Sequence, residues 1–296
     1  MRAENKKIQF ILTVFFTVMC VLVIFPFILV VSVSFSNEQD IIMNGYSIIP
    51  KNFDLSAYKY LFKNPMTLLN AYKVTTIFSV IFMVLSVLLM MMIAYPLTIN
   101  TLKGRRVMSF YLYFTMLFSG GLVPSYILIT QYLHLSDNIL VYILPGLISP
   151  WYVFMMRTFV KGVPNEIRES VKVDGGSEFL IFFKFILPLS KPVIASVALF
   201  MFLDKWNDWN TSMLYINSRE DLISLQYMLQ RILKNLQLIE QMESQGLMTP
   251  SAVQEDIPAE TVRMAMSVLV AGPALFVFPF FQKYFVKGLT VGSVKG

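Results

Sequence analysis

The chain has 296 residues, 56% of them hydrophobic and 14% charged, and its mean hydropathy is +0.64. A soluble domain carries about 25% charged residues, so this composition excludes an ordinary globular enzyme and points to an integral membrane protein. The single cysteine, Cys20, excludes a disulfide framework; the net charge is +6, but the basic residues flank apolar runs, which is the pattern of membrane topology and not of nucleic-acid binding.

A bilayer crossing takes about 20 apolar residues. The first candidate, 8–33, lies in an apolar run that continues to Phe35. A secretory signal core is only about 7–15 residues long, so the segment reads as a retained span. An external segment at 36–73 mixes polar and aromatic residues. The second, third and fourth spans fall at 74–97, 107–129 and 139–156. Gly120, Gly121 and Pro124 interrupt the third, and Pro145 and Pro150 the fourth. Irregular backbone at membrane depth survives only where it is buried in protein or lines a water-filled cavity, so these breakers point to a packed bundle around a pathway.

The fifth span is expected at 190–209. Hydropathy would let it start at Phe179, but that places Lys184, Pro188 and Lys191 in hydrocarbon. A lysine there costs roughly 2.5–3.5 kcal/mol, and a proline forfeits a backbone hydrogen bond. A break at Pro188 avoids both. The external segment 205–260 contains an amphipathic helix, with Leu222, Leu225, Leu229, Ile232, Leu236 and Ile239 at helical spacing. A polar linker at 243–258 follows. Asp256 and Pro258 then signal the start of a last span at 262–285, which holds the breakers Gly272, Pro273 and Pro279. The expected fold is therefore all-α, one transmembrane domain over 1–296 with six spanning helices. With both termini cytoplasmic, 15 of the 24 Lys and Arg and five of the 18 acids lie inside, a net +10 against −4 outside. The positive-inside rule favours this orientation over its inverse.

The loop 160–190 is then a cytoplasmic charged island. Asn165 is placed to cap a short helix from Glu166, and Asp174, Gly175 and Gly176 end it, because glycine tolerates the left-handed conformation of a helix stop. Ser177 caps a second short helix to Leu187, closed by Pro188. Two short helices joined by a glycine turn make either an ordinary interfacial loop or a projecting knuckle built to fit a receptor. No glycine-rich ATP loop of the G-x-x-x-x-G-K-[ST] kind occurs in the chain, so an ATP site is expected on another chain.

Glu169, Ser170 and Val171 are followed after three residues by Gly175, and after nine more by Phe185, Ile186, Leu187 and Pro188. This spacing resembles the coupling motif of ABC importer permeases, Glu-Ala-Ala, three residues, Gly, nine residues, Ile-x-Leu-Pro. Ser170 and Val171 replace the alanines and Phe185 the isoleucine. GGLVPSYIL, WNDWNTSMLYI and the C-terminal FPFFQKYFVKGLTVGSVKG also resemble carbohydrate ABC importer permeases related to the maltose permease, in the branch that imports oligosaccharides in Gram-positive bacteria. The resemblance implies an ABC importer permease fold with cytoplasmic coupling helices in a bacterial cell membrane, and no catalysis by this chain. It also implies a heterodimer with a second permease, two ATPase subunits that hold ATP and Mg, and an extracellular substrate-binding protein. The coupling residues it implies are Glu166, Glu169, Ser170, Val171, Asp174, Gly175, Gly176, Leu187 and Pro188.

Trp206, Asn207, Asp208, Trp209 and Asn210 follow the fifth span at its outer end. Tryptophans there suit a membrane-interface belt. Two indoles beside amides and a carboxylate also suit a sugar, whose C–H face an aromatic ring covers and whose hydroxyls the polar groups bond. Tyr126, Gln131, Asn138 and Trp151 are further candidates to line the pathway. His134 is the only histidine and has no ligand cluster around it, so no metal site is expected. An intramembrane enzyme or an ion-coupled transporter needs ionisable residues inside the spans, and the spans offer none that converge. The same coupling motif also suits a permease for a peptide or phosphonate.

Overall fold

The computed structural model describes residues 2–245 and 258–292. These residues are helical apart from loops and one isolated bridge between Ser36 and Phe53. Helix α1 (Arg2–Ser34) is unbroken through Pro26, and its apolar side chains, such as Phe10, Val21 and Leu22, are exposed as a lipid-facing helix requires. Two short helices follow. Asn37 caps α2 (Glu38–Asn44) by accepting a bond from the Gln39 N–H, and α3 (Ser56–Leu61) sets Tyr58 against Ser34, with a hydroxyl–hydroxyl bond of 2.9 Å.

Helix α4 (Pro65–Ala94) is longer than the expected second span. The expected third span is two helices, α5 (Arg105–Leu117) and α6 (Leu122–Ile127), the second prolonged by a π-helical turn to Tyr132. They meet at 111°, with Gly121 at φ +85° in the break. The fourth is likewise split into α7 (Leu140–Ile143) and α8 (Pro150–Lys161), with Gly146 at φ +80° between them. Next come α9 (Asn165–Val173), α10 (Glu178–Ile181), α11 (Leu187–Leu189), α12 (Lys191–Trp206), α13 (Asn210–Tyr215), α14 (Leu225–Ser244) and α15 (Ala259–Gly292). Helix α15 runs through Gly272, Pro273 and Pro279 without a break, a correction to the interruption expected there. Prolines are tolerated in apolar helices when neighbours satisfy the freed carbonyls. Asp256 lies outside the described residues; the first N–H groups of α15, those of Glu260 and Thr261, are instead capped by the Glu38 carboxylate at 2.8 and 2.9 Å.

Among the described residues, three helices are long and apolar enough to cross a membrane, Lys6–Ser34, Pro65–Thr98 and Ala259–Gln282, and two helix pairs pass the same test only when taken together, one bent by 111° and the other by 78° at Ser190. The described residues fall into two compact units, one drawn from 1–68 and 229–273, the other from 69–228 and 274–296. The second holds two apolar clusters. In one, Met90, Met91 and Leu97 pack with Val153 and Met156 of α8, with Ile181, Phe182 and Ile186, and with Val193 and Val197 of α12. In the other, Phe78 stacks on Tyr142 with ring centroids 4.3 Å apart, beside Tyr215 and Leu222.

Candidate functional site

The segment 164–190 forms the knuckle. Pro164, extended at φ −56° and ψ 132°, is the residue at which α9 starts, and Asn165 is already helical and caps nothing, a correction to its expected role. The nine residues of α9 divide into two faces. Glu166, Glu169, Ser170 and Val173 are exposed, whereas Ile167, Val171 and Arg168 are half-buried, with Val171 packed on the first apolar cluster. The Glu169 carboxylate makes no hydrogen bond or ion pair among the described residues.

The stop of α9 is a Schellman turn. Gly175 N–H bonds the Lys172 carbonyl at 3.0 Å and Gly176 N–H reaches back to the Val171 carbonyl at 2.8 Å. Gly175 supplies the left-handed residue, at φ +76°. Gly176 is needed for a different reason: a Cβ there would lie 2.4 Å from Val171 Cγ1 and 2.9 Å from the Val171 carbonyl oxygen. Ser177 caps α10 as expected, its hydroxyl accepting from Leu180 N–H at 3.2 Å. The second helix closes two residues beyond Pro188. A π-helical turn over Phe182–Ile186, in which Leu187 N–H bonds the Phe182 carbonyl five residues back, precedes the proline, and the run continues to Leu189 before the 78° bend. The wider turn is how a helix accommodates a ring with no N–H to give. Leu187 packs partly against the first apolar cluster and Pro188 is exposed.

Glu178 was not singled out in the sequence, yet it is the most connected side chain of the knuckle. Its Oε1 accepts from Arg168 Nε at 3.2 Å and from Lys172 Nζ at 2.8 Å, and its Oε2 accepts the hydroxyl of Tyr95. Its carboxyl is held down to about 2, chiefly by the Arg168 hydrogen bond and then by those of Lys172 and Tyr95, against the opposing effect of burial. The available signal was Arg168 and Lys172 four apart on one helix face, with an acid just after the glycine turn.

The second set of candidates gathers around the end of α12. Trp206 is buried, 3% exposed, and stacks on Phe202 with centroids 5.6 Å apart, a correction to its placement beside a sugar. Trp209 is half-buried, Asn210 is exposed, and the exposed Asn207 amide donates to the Leu203 carbonyl at 2.8 Å. The Asp208 carboxylate is engaged within the fold, by buried Lys205 at 3.0 Å and by Thr211 Oγ1 at 2.7 Å; Lys205 also lies 4.7 Å over the Phe82 ring. The Asp208 carbonyl accepts from Ser224 Oγ, which in turn accepts from Ser212 Oγ at 2.9 Å, and Tyr142 OH bonds Ser212 and the Leu222 carbonyl. This buried chain of hydroxyls fastens α13 and the start of α14 to α7. Tyr126 stacks on Tyr215, centroids 5.7 Å apart, and Asn138 is exposed with Oδ1 on Leu140 N–H. Next to it, Asp137 Oδ1 collects the N–H groups of Asn217, Ser218 and Arg219, which hold its carboxyl below the usual range. Gln131 is exposed, and Trp151, 62% exposed, stands apart over α8 beside Phe154 and Met155.

A long apolar helix set and a polar two-helix knuckle define the class as a multi-pass membrane protein. The chain belongs to the family of binding-protein-dependent transport system inner membrane components, whose model matches residues 70–291. Protein LplC of Bacillus subtilis is 37% identical over 274 residues, 92% of this chain and 90% of that protein. The polygalacturonan/rhamnogalacturonan transport system permease protein YtcP of the same organism is 33% identical over 99% of this chain and all of its own length. The arabinooligosaccharides transport system permease protein AraQ of Halalkalibacterium halodurans is 28% identical over the whole chain and 99% of its own. Among solved structures, a chain of a bacterial ABC transporter involved in the import of the acidic polysaccharide alginate superposes with a TM-score of 0.79, at 24% identity, over 96% of this chain and 98% of that one. The all-helical fold of ABC importer permeases is thereby established, and with it a place among the other components of such a transporter.

Proposed function

We propose that the chain is a permease subunit of an ATP-driven importer that brings an oligosaccharide into the cytoplasm. Two of its relatives support an oligosaccharide as substrate, because at 33% and 28% identity over nearly the full length they are permeases of transport systems for polygalacturonan/rhamnogalacturonan and for arabinooligosaccharides. The observation that carries the coupling part is the knuckle itself, a short helix with an unpartnered, exposed Glu169 and a glycine turn that sets its exit. In this reading Glu166, Glu169, Ser170 and Asp174 face an ATPase subunit, and Gly175, Gly176, Val171, Leu187 and Pro188 hold the knuckle's shape. ATP and Mg bind on that partner, and a second permease, a second ATPase subunit and an external binding protein complete the machine. Both termini and the knuckle are cytoplasmic. Trp209, Asn207, Asn210, Tyr126, Gln131, Asn138 and Trp151 remain the pathway candidates, while Trp206 and Asp208 hold them in place. The test is reconstitution of the complete transporter in liposomes and measurement of ATP hydrolysis with galacturonan, rhamnogalacturonan and arabinan oligomers. One of these sugars is expected to stimulate hydrolysis and be taken up. Stimulation by peptides or phosphonates with none by any sugar would refute the assignment.

A further inference from the structure

The Glu178 clamp has a geometry that the coupling reading does not by itself explain. On α9, Arg168 and Lys172 lie one turn apart, Arg168 half-buried and Lys172 exposed. The Schellman turn at Gly175 and Gly176 folds the chain back so that Glu178 meets both cations with one oxygen, Arg168 Nη2 included. The other oxygen takes the hydroxyl of Tyr95. Tyr95 follows the last residue of α4 and still closes a helical turn through its N–H to the Met91 carbonyl, at 3.0 Å. It is 4% exposed, and its ring packs on Phe182 with centroids 5.7 Å apart. Each of the two knuckle helices thus reaches the end of the second span through a single carboxylate.

We infer that Glu178 is a positioning residue that ties the knuckle to α4 through Tyr95, so that displacement of α9 is passed to the second span. This deepens the proposed function and rests on its coupling reading. A charge-assisted hydrogen bond is stiff and directional; without it the polar tie between the knuckle and the end of α4 is weakened, and part of each stroke is absorbed by the knuckle sliding on the span. Tyr95→Phe removes one hydroxyl and leaves the ring packing, so its fold is preserved, and Glu178→Gln removes the charge that holds both cations.

The experiment uses the complete transporter in liposomes, with rhamnogalacturonan oligomers as the probe, and reads sugar taken up per ATP hydrolysed. Loss of a hydrogen bond to a charged group shifts the coupled equilibrium by about tenfold. The expected result is a fall of that order in sugar per ATP for Tyr95→Phe and Glu178→Gln, with the ATPase subunits still bound and ATP still hydrolysed; a merely structural role would lower both activities together and leave their ratio unchanged. An unchanged ratio in Tyr95→Phe overturns the inference, and this variant decides alone if Glu178→Gln fails to assemble. Glu169→Lys separates the two levels: if it releases the ATPase subunits or abolishes uptake while Tyr95→Phe is normal, the coupling reading stands and the clamp falls. If Glu169→Lys and both clamp variants all behave as the wild type, the coupling reading falls as well.

Discussion

The two glycines of the knuckle are adjacent but serve different physical ends, and their alanine variants should differ accordingly. At Gly175 an added Cβ meets nothing within 4 Å, so the only cost is the backbone conformation, φ +76°. A left-handed L-residue costs roughly 1–2 kcal/mol. At Gly176 the backbone is not left-handed, but the Cβ collides with Val171 Cγ1 at 2.4 Å and with the Val171 carbonyl oxygen at 2.9 Å. The methyl can turn aside; the carbonyl cannot, because it accepts the 2.8 Å bond from Gly176 itself. Relief therefore costs overpacking strain of about 1–3 kcal/mol plus most of a hydrogen bond, about 0.5–1.5 kcal/mol. Hydrogen exchange of the turn amides in the assembled transporter measures this directly. Gly175→Ala should lower protection about 5–30-fold, Gly176→Ala by a further order of magnitude, on the order of 100-fold, and Gly175→Asn less than Gly175→Ala because asparagine tolerates the left-handed region. Equal losses for the two alanines, or the reverse order, would refute the assignment of conformational strain to one glycine and steric contact to the other.

Three further outcomes follow from the same structure. In a Cys20→Ser background, Lys172→Cys should resist a membrane-impermeant thiol reagent in intact cells and react in inverted vesicles, whereas ready labelling from outside would reject the cytoplasmic placement of the knuckle. Because the folded carboxyl of Glu178 is depressed from 4.5 to about 2, its stabilisation is complete above pH 4.5 and is lost as pH falls toward 2; exchange protection of 165–180, corrected for intrinsic rates, should fall across that window in the wild type and stay flat in Glu178→Gln. Trp206→Leu removes a buried ring and should reduce recovery of folded protein, a loss of order 1–3 kcal/mol, whereas Trp209→Leu should leave recovery intact and lower sugar uptake; normal uptake by a well-folded Trp209→Leu would remove that residue from the pathway.

What was legible in the sequence is what depends on neighbours along the chain. The stop of α9 could be read because a Schellman turn is closed by five or six consecutive residues, and Ser177 because a cap and its N–H partner are three apart. The long apolar helices could be read because length and hydropathy decide them. Burial could not. Trp206 and Trp209 look alike in WNDWN, but Trp206 is the last residue of α12 and turns onto Phe202, whereas Trp209 lies past the helix end. Asp208 looked like a sugar ligand until Lys205, three residues earlier, was seen to be buried and in need of a counter-charge. The break expected at Pro188 falls two residues later, at the 78° bend at Ser190, whereas the one expected in the last span does not occur, because a proline ends a helix only when its neighbours cannot make good the lost bond. Glu178 escaped notice because its third partner, Tyr95, is 83 residues away.

The charges of the knuckle gain meaning once its two faces are separated. Taken as a string, 165–178 holds two cations, Arg168 and Lys172, and four acids, Glu166, Glu169, Asp174 and Glu178, and reads as an ordinary solvated loop. The fold sorts them. Arg168 and Lys172 are both engaged by Glu178, which offsets one of their two charges within the protein, while Glu166, Glu169 and Asp174 stay exposed without such a counter-charge. The surface presented outward by this short helix is thus rich in acids, on a protein whose proposed inner side is basic as a whole, by +10. A negative patch is not drawn to anionic headgroups as its basic surround is, and it is matched by a groove carrying basic side chains or free N–H groups. Under the proposed function this is the division of labour that coupling requires: one face of α9 selects the ATPase subunit by charge, and the opposite face, through Glu178 and Tyr95, determines which part of the permease moves when that subunit does.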